Sequence, residues 1–211
     1  MPESSPDTNN FARPLREAEV DPDPYRQFER WFEAAGEAGV RMPEAAAVAT
    51  ATPDGAPSVR MVLVKEHGPE HFVFYTNFAS RKGRELQANP RAALLFYWDA
   101  LGRQVRIEGP VTRMTRDEST AYIRSRPRGS QVSALASPQS QPVESREQLE
   151  ERVAELTERL QDQEPPLPEN WGGFRLRPES FEFWQHREDR LHDRLLYTPA
   201  GEAWRLERLA P

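Results

Sequence analysis

Between residues 45 and 108 the chain is cut into short apolar runs, most of them closed by a turn signal. Residues 45–52 meet Pro53-Asp54-Gly55, and residues 58–65, SVRMVLVK, are followed by Gly68-Pro69 and a further run at 71–76. Runs at 92–98 and 104–108 flank a turn from Asp99 to Gly102. An Asp-Gly step between two strand-like runs signals a hairpin. Strands joined this closely pair antiparallel, since a parallel crossover needs a dozen or more residues. The pattern returns near the C-terminus, where Phe181 and Phe183 alternate with Glu182 and Trp184. Residues 195–197 there enter a Pro199-Ala200-Gly201 turn before Trp204-Arg205-Leu206. The expectation is a mainly β chain: a barrel-like antiparallel core with flanking helices.

Helical spacing occupies the gaps. Asp23 and Pro24 suit an N-cap and first helical position, and Tyr25, Phe28, Trp31, Phe32 and Ala35 follow on one stripe, ending near Gly36 or Gly39. Ser80 caps a short helix that Pro90 stops near Asn89. Thr115 and Glu118 form a capping box for a helix over 116–126 that Pro127 ends, and 128–131 reads as a loop. Residues 134–144 read as a polar loop with Gln139 and Ser140 as donors. Ser145 and Gln148 form a second box ahead of Leu149, Val153, Leu156 and Leu160. Residues 1–20, rich in Pro, Ser, Asn, Asp and Glu, read as a mobile tail, leaving 21–211 as one domain.

Several chemistries drop out. With no cysteine there is no disulfide, thiolate metal site or thiol nucleophile, and His67, His71, His186 and His192 make no convincing metal set. A net charge of −6 opposes non-specific attraction to nucleic acid or an anionic membrane. The start MPESSPDTNN has neither a basic nor an apolar leader region, and no apolar run approaches the roughly 18 residues of a membrane span. A soluble, cytoplasmic protein is expected. Dinucleotide, Walker, G-x-S-x-G and H-E-x-x-H motifs are absent.

What remains is a set of anion binders. Arg81 and Lys82 sit in the first turn of a helix, where the dipole disfavours cations, so an anion among them and the free N–H groups would relieve the conflict. Tyr122 and Arg126 lie one turn apart, just before Arg128-Gly129-Ser130-Gln131. Arg190, His192 and Arg194, read as a strand, share one face, with Leu191 and Leu195 on the other. Arg60 and Lys65 are an odd number of residues apart, so serving one site requires a bulge, and otherwise they contact different ligands. Each piece also has an ordinary reading, as a solvated helix start, a capped surface helix or a charged edge strand. Together, with nearby aromatics and amides, they suit phosphorylated small molecules.

The segments SVRMVLVK, FYTN, ASRKGREL, GRQVRIEG, YIRSRPRGSQ, PQSQ, LPENWGGFRL, FEFWQ and RLHDRLLY, in this order and spacing, resemble the pyridoxamine (pyridoxine) 5′-phosphate oxidase family over about residues 20–211. The resemblance implies a split β-barrel, Greek-key-like and homodimeric, with FMN in clefts between the subunits. By position it assigns FMN binding to Arg60, Met61, Val62, Leu63, Val64 and Lys65, to Tyr75, Thr76, Arg81 and Lys82, and to Gln104, Gln139, Ser140, Trp184 and Arg194. It gives the substrate phosphate to Lys65, Tyr122, Arg126 and Ser130. Arg190, Leu191 and His192 then meet the pyridine ring, with Arg190 and His192 catalytic and no metal involved. The implied reaction is hydride transfer from C4′ of pyridoxamine or pyridoxine 5′-phosphate to the flavin. Oxygen then reoxidises the flavin to give hydrogen peroxide, and the amine substrate also releases ammonia. Two departures stand out: the tail lacks the family's N-terminal Arg and Tyr pattern, and Leu135 stands where a Trp is common. Rival readings are a phenazine-type flavin oxidase and a noncatalytic carrier of FMN or pyridoxal phosphate.

Overall fold

A computed structural model of the chain describes residues 14–161 and 163–211. The elements run α1 (Pro24–Glu37), β1 (Ala45–Ala51), β2 (Pro57–Gly68), β3 (His71–Asn77), α2 (Arg81–Ala88), β4 (Arg91–Trp98) and β5 (Arg103–Arg113). Then come α3 (Arg116–Ser125), α4 (Arg128–Ala136), α5 (Arg146–Leu160), β6 (Trp171–Leu176), β7 (Ser180–Gln185), β8 (Asp193–Ala200) and β9 (Ala203–Leu209). The order β4-β1-β2-β3-β6-β5, closed by β4 against β5, makes a six-stranded antiparallel barrel. The barrel splits along β5: Arg103 to Glu108 pair with β7, Val111 to Arg113 with β6, and β8 and β9 extend the β7 side as a wing.

Strand parity decides what faces inward. Ala46, Val48 and Thr50 of β1, Leu94, Phe96 and Trp98 of β4, Val105 and Ile107 of β5, and Phe181 and Phe183 of β7 are buried at alternate positions. Helix α1 lays its predicted stripe onto them. Phe28 meets Phe72 and Phe96 edge-on at 4.9 and 5.0 Å, and Trp31 meets Phe183 at 5.1 Å, contacts that each add about 1 kcal/mol beyond simple burial. Asp23 caps this helix by accepting from the Tyr25 N–H. On the outer face β2 leaves Val59, Met61 and Leu63 at 67, 64 and 39% exposure, with Tyr97 of β4 at 59%. Among the described residues no helix is long and apolar enough to cross a membrane, and no His, Cys, Asp and Glu cluster fits a metal ion.

Four expectations need correction. Residues 14–20 are no tail: Leu15 is buried, its N–H donates to Asp193 Oδ2 at 3.1 Å, and Arg208 donates to its carbonyl at 2.7 Å. Residues 1–13 lie outside the described residues. The supposed loop at 128–131 and the first residues of that at 134–144 form α4. Pro127 opens this helix as well as closing α3, and the Gln131 amide donates back to the Arg124 and Arg126 carbonyls at 3.3 and 2.7 Å. The second capping box is half-made, since Gln148 accepts from the Glu144 N–H rather than that of Ser145. Finally, Arg190, His192 and Arg194 do not share a strand face. Pairing of Gln185 with Asp193 makes residues 186–192 the reversal itself, and Arg190 sits in a 3₁₀ turn.

Candidate active site

The strand between Arg60 and Lys65 carries a bulge, yet the two side chains do not share a site. Val64 pairs with Phe74, but Glu66 pairs with Val73, so Lys65 is the extra residue. Arg60 turns inward, donating to the Val48 carbonyl at 3.2 Å and Thr50 Oγ1 at 2.6 Å and pairing with Glu85 at 3.4 Å. Lys65, 3.5 Å from Glu44 Oε1, instead lines a cleft of about 390 Å³. Met61, Val62, Leu63, Tyr75, Thr76, Lys82, Tyr122, Arg126, Ser130 and Gln139 line the same cleft, joined by Asn77, Ser133, Ala134, Ser137 and Trp171.

One end of the cleft is built by the start of α2. Ser80 Oγ accepts from the Gly83 N–H, capping the helix as the sequence predicted. Lys82 is buried and donates to Thr76 Oγ1 at 2.8 Å and Gln139 Oε1 at 3.0 Å. Burial, and secondarily the charge of Arg60, lowers its pKa to about 8. A desolvated ammonium at a helix N-terminus is a place where a phosphate restores what burial removed. Arg81 is held by Glu85 Oε1 at 2.9 Å. Burial alone would raise the Glu85 pKa, but hydrogen bonds from Ser58, Thr50 and Arg81, with the charge of Arg60, bring it down to about 2. The chemistry of this donor set fits the phosphate of FMN.

Aromatic rings make another wall. Tyr75 and Tyr122 stack at 3.6 Å and 11°, and Trp171 lies parallel to both, 5.5 and 6.1 Å away. The Arg126 guanidinium sits 5.6 Å from the Trp171 ring. Burial raises the pKa of both phenols. Trp171 escaped the sequence reading as a site residue, although the glycines after it carried the signal. A Cβ on Gly173 would lie 2.4 Å from Met114 Sδ and 3.0 Å from the Tyr75 ring.

The other predicted residues lie elsewhere. Gln104, Trp184 and Arg194 form a cross-strand row over β5, β7 and β8. His192 stands 4.6 Å from Trp184 and 5.2 Å from His186, ring to ring. The Arg187 N–H donates to His192 Nδ1 at 3.1 Å, which leaves the proton of the neutral ring on Nε2. Arg194 donates to Glu182 and to the Ala210 carbonyl, both at 2.8 Å, and Leu191 is 71% exposed. None of these residues, nor Arg190, lines the cleft of their own chain. Val64 is buried in the core with its N–H donated to the Glu44 carbonyl at 2.9 Å, and Ser140 occupies a left-handed turn position beside Gln139.

Comparison with known proteins meets this geometry from the other side. A family model described as pyridoxamine 5′-phosphate oxidase matches residues 32–160, and one described as the pyridoxine 5′-phosphate oxidase C-terminal dimerisation region matches 171–211. The chain is 58% identical over 197 residues to the pyridoxine/pyridoxamine 5′-phosphate oxidase of Rubrobacter xylanophilus, covering 93% of this chain and 91% of the relative. It is 53% identical over 198 residues to that of Gloeothece citriformis, covering 93% and 92%. Among solved structures, PhzG from Burkholderia lata 383, in complex with tetrahydrophenazine-1-carboxylic acid, matches with a TM-score of 0.88 and 33% identity over 95% of this chain and 100% of that one. An FMN-binding protein from Nostoc punctiforme shares the fold at a TM-score of 0.69 and 18% identity, covering 90% and 98%. A split barrel matched by these two models over most of its length, and 58% identical to a named relative, places the chain in the pyridoxamine 5′-phosphate oxidase family of FMN-dependent oxidoreductases.

Proposed function

We propose that this chain oxidises pyridoxamine 5′-phosphate or pyridoxine 5′-phosphate to pyridoxal 5′-phosphate, as a cytoplasmic homodimer using FMN and oxygen. The observation that carries the reading is the presence of two donor sets in one cleft: Lys82, Thr76 and Gln139, and separately Lys65, Tyr122, Arg126 and Ser130. The first takes the flavin phosphate and the second the substrate phosphate. Three charge-assisted hydrogen bonds supply a gross of about 5–9 kcal/mol, comparable to the roughly 8 kcal/mol of micromolar binding.

Bound FMN would supply the redox chemistry, as acceptor for a hydride from C4′ and donor of the electrons to oxygen. The chain itself supplies alignment. Lys65 and Arg126 anchor the substrate at its phosphate, away from the reacting carbon. Arg190 and His192, with Nε2–H as a donor, hold the pyridine ring, and Gln104, Trp184 and Arg194 hold the flavin. Because these five stand outside the cleft of their own chain, a second copy brings them to it. The exposed strip of Val59, Met61, Leu63 and Tyr97 is the surface such a pairing covers.

The likeness to PhzG keeps a phenazine-type oxidase as the second reading. The deciding experiment identifies the yellow cofactor released from the purified protein and follows oxygen uptake with phosphorylated vitamers, their dephosphorylated forms and a reduced tricyclic acid. Peroxide from the phosphorylated vitamers, with ammonia from the amine alone, is expected. Turnover confined to the tricyclic acid overturns the proposal, and bound flavin without peroxide points to a carrier.

A further inference from the structure

The reversal at residues 186–192 carries Arg190 and His192 on an unfavourable backbone. Asp189 and Arg190 both adopt left-handed conformations, at φ 56° and 61°, although neither is glycine. Such a segment keeps its shape only when its surroundings over-determine it. The residue that follows it, Asp193, does the holding. Its Oδ1 accepts from Arg208 Nη1 at 2.6 Å. Its Oδ2 accepts from the Leu15 N–H at 3.1 Å and lies 3.6 Å from Arg187 Nε. Arg187, at the opening of the reversal, donates its own N–H to His192 Nδ1. Arg208 is fixed in turn by both oxygens of Glu17, at 2.7 and 2.9 Å, and by the Leu15 carbonyl.

One carboxylate therefore ties together both ends of the reversal, the last strand and the segment at 14–17. Its side chain is only 16% exposed, so the carboxylate end of these ion pairs is largely shielded from water. We propose that Asp193 is a positioning residue for the oxidation: by clamping Arg187 against the start of β8 it fixes the tautomer and direction of His192 and the place of Arg190. The segment at 14–17 and Arg208 serve as its abutment. This rests on the substrate reading given above.

Asp193→Asn retains an oxygen acceptor of the same size but loses the charge that holds Arg187 and Arg208. With phosphorylated vitamers kcat is expected to fall about ten- to a hundredfold, the scale on which a misplaced group costs rate, while FMN content stays at the parent level. In ¹⁵N-histidine spectra of the flavin-bound protein, the His192 ring should change from a single Nε2–H tautomer to a mixture. Should this variant fail to fold, Glu17→Gln loosens Arg208 from its far side. It is expected to move the same His192 signals less, with kcat down about two- to fivefold. An unchanged His192 ring or an unchanged kcat overturns the inference. If the parent protein oxidises none of the vitamers, the substrate reading falls by itself, and the His192 spectrum still decides whether Asp193 sets that ring.

Discussion

In the proposed reading, Lys82 is the residue on which cofactor retention turns. Its folded pKa of about 8 lies below the ordinary 10.5, so between those values the unfolded chain binds a proton that the flavin-free fold does not. Stability of the flavin-free protein therefore rises with pH across that window. A phosphate beside the ammonium reverses the preference, so FMN binding takes up a proton and weakens as pH climbs above about 8. Flavin fluorescence titrations from pH 7 to 10 should show this dependence, and Lys82→Met should abolish it, weakening FMN binding by about 10- to 100-fold. Glu85 acts with the same sign, in the acid range. Its depressed pKa contributes stability that is present above about 4.5 and is lost as pH falls toward 2. Glu85→Gln leaves the inward-turned Arg60 without its carboxylate and should cost about 3 kcal/mol in urea unfolding of the flavin-free protein. The candidacy of Lys82 was legible because a cation in a first helical turn conflicts with a local rule. That of Glu85 was not, since its partners Thr50 and Ser58 are 35 and 27 residues away in the chain.

At the scale of elements, local signals carried furthest. Thr115 and Glu118 make both bonds of their capping box, because a cap is satisfied within four residues. Thr115→Ala should lower stability by about 1 kcal/mol, readable as a shift in the urea midpoint at constant slope. Parity left two outcomes open for Arg60 and Lys65, a bulge or separate contacts, and both are present. Helix α4 was missed because Pro127 was taken only as a stop, whereas its fixed φ also suits the residue that opens a helix. The strand across 190–194 was misjudged because alternation in sequence cannot reveal where β7 runs out of partner and the chain must turn. Strand β6 carries a tighter constraint. Gly173→Ala drives a methyl into Met114 and the Tyr75 ring, costing about 1–3 kcal/mol. It should also raise KM for phosphorylated substrate, as the Tyr75 and Tyr122 stack shifts.

For the molecule as a whole, the proposed function requires a second copy to complete the site. Val59→Glu places a charge in the exposed apolar strip of β2 but outside the cleft lining, and it should give a particle of one chain's mass in sedimentation, with loss of bound flavin and of oxygen uptake. A two-chain particle retaining full activity would show that the strip is not the pairing surface. By itself the sequence determined the antiparallel strands, the capped helices and the cationic helix start, because each follows from chemistry confined to a few neighbouring residues. Only the tertiary structure decided that Arg60 turns into the barrel while Lys65 faces the cleft, that residues 14–20 bind Asp193 and Arg208, and that the site divides into two groups. Those outcomes depend on contacts between segments up to nearly two hundred residues apart, and their energies appear only once the barrel has closed.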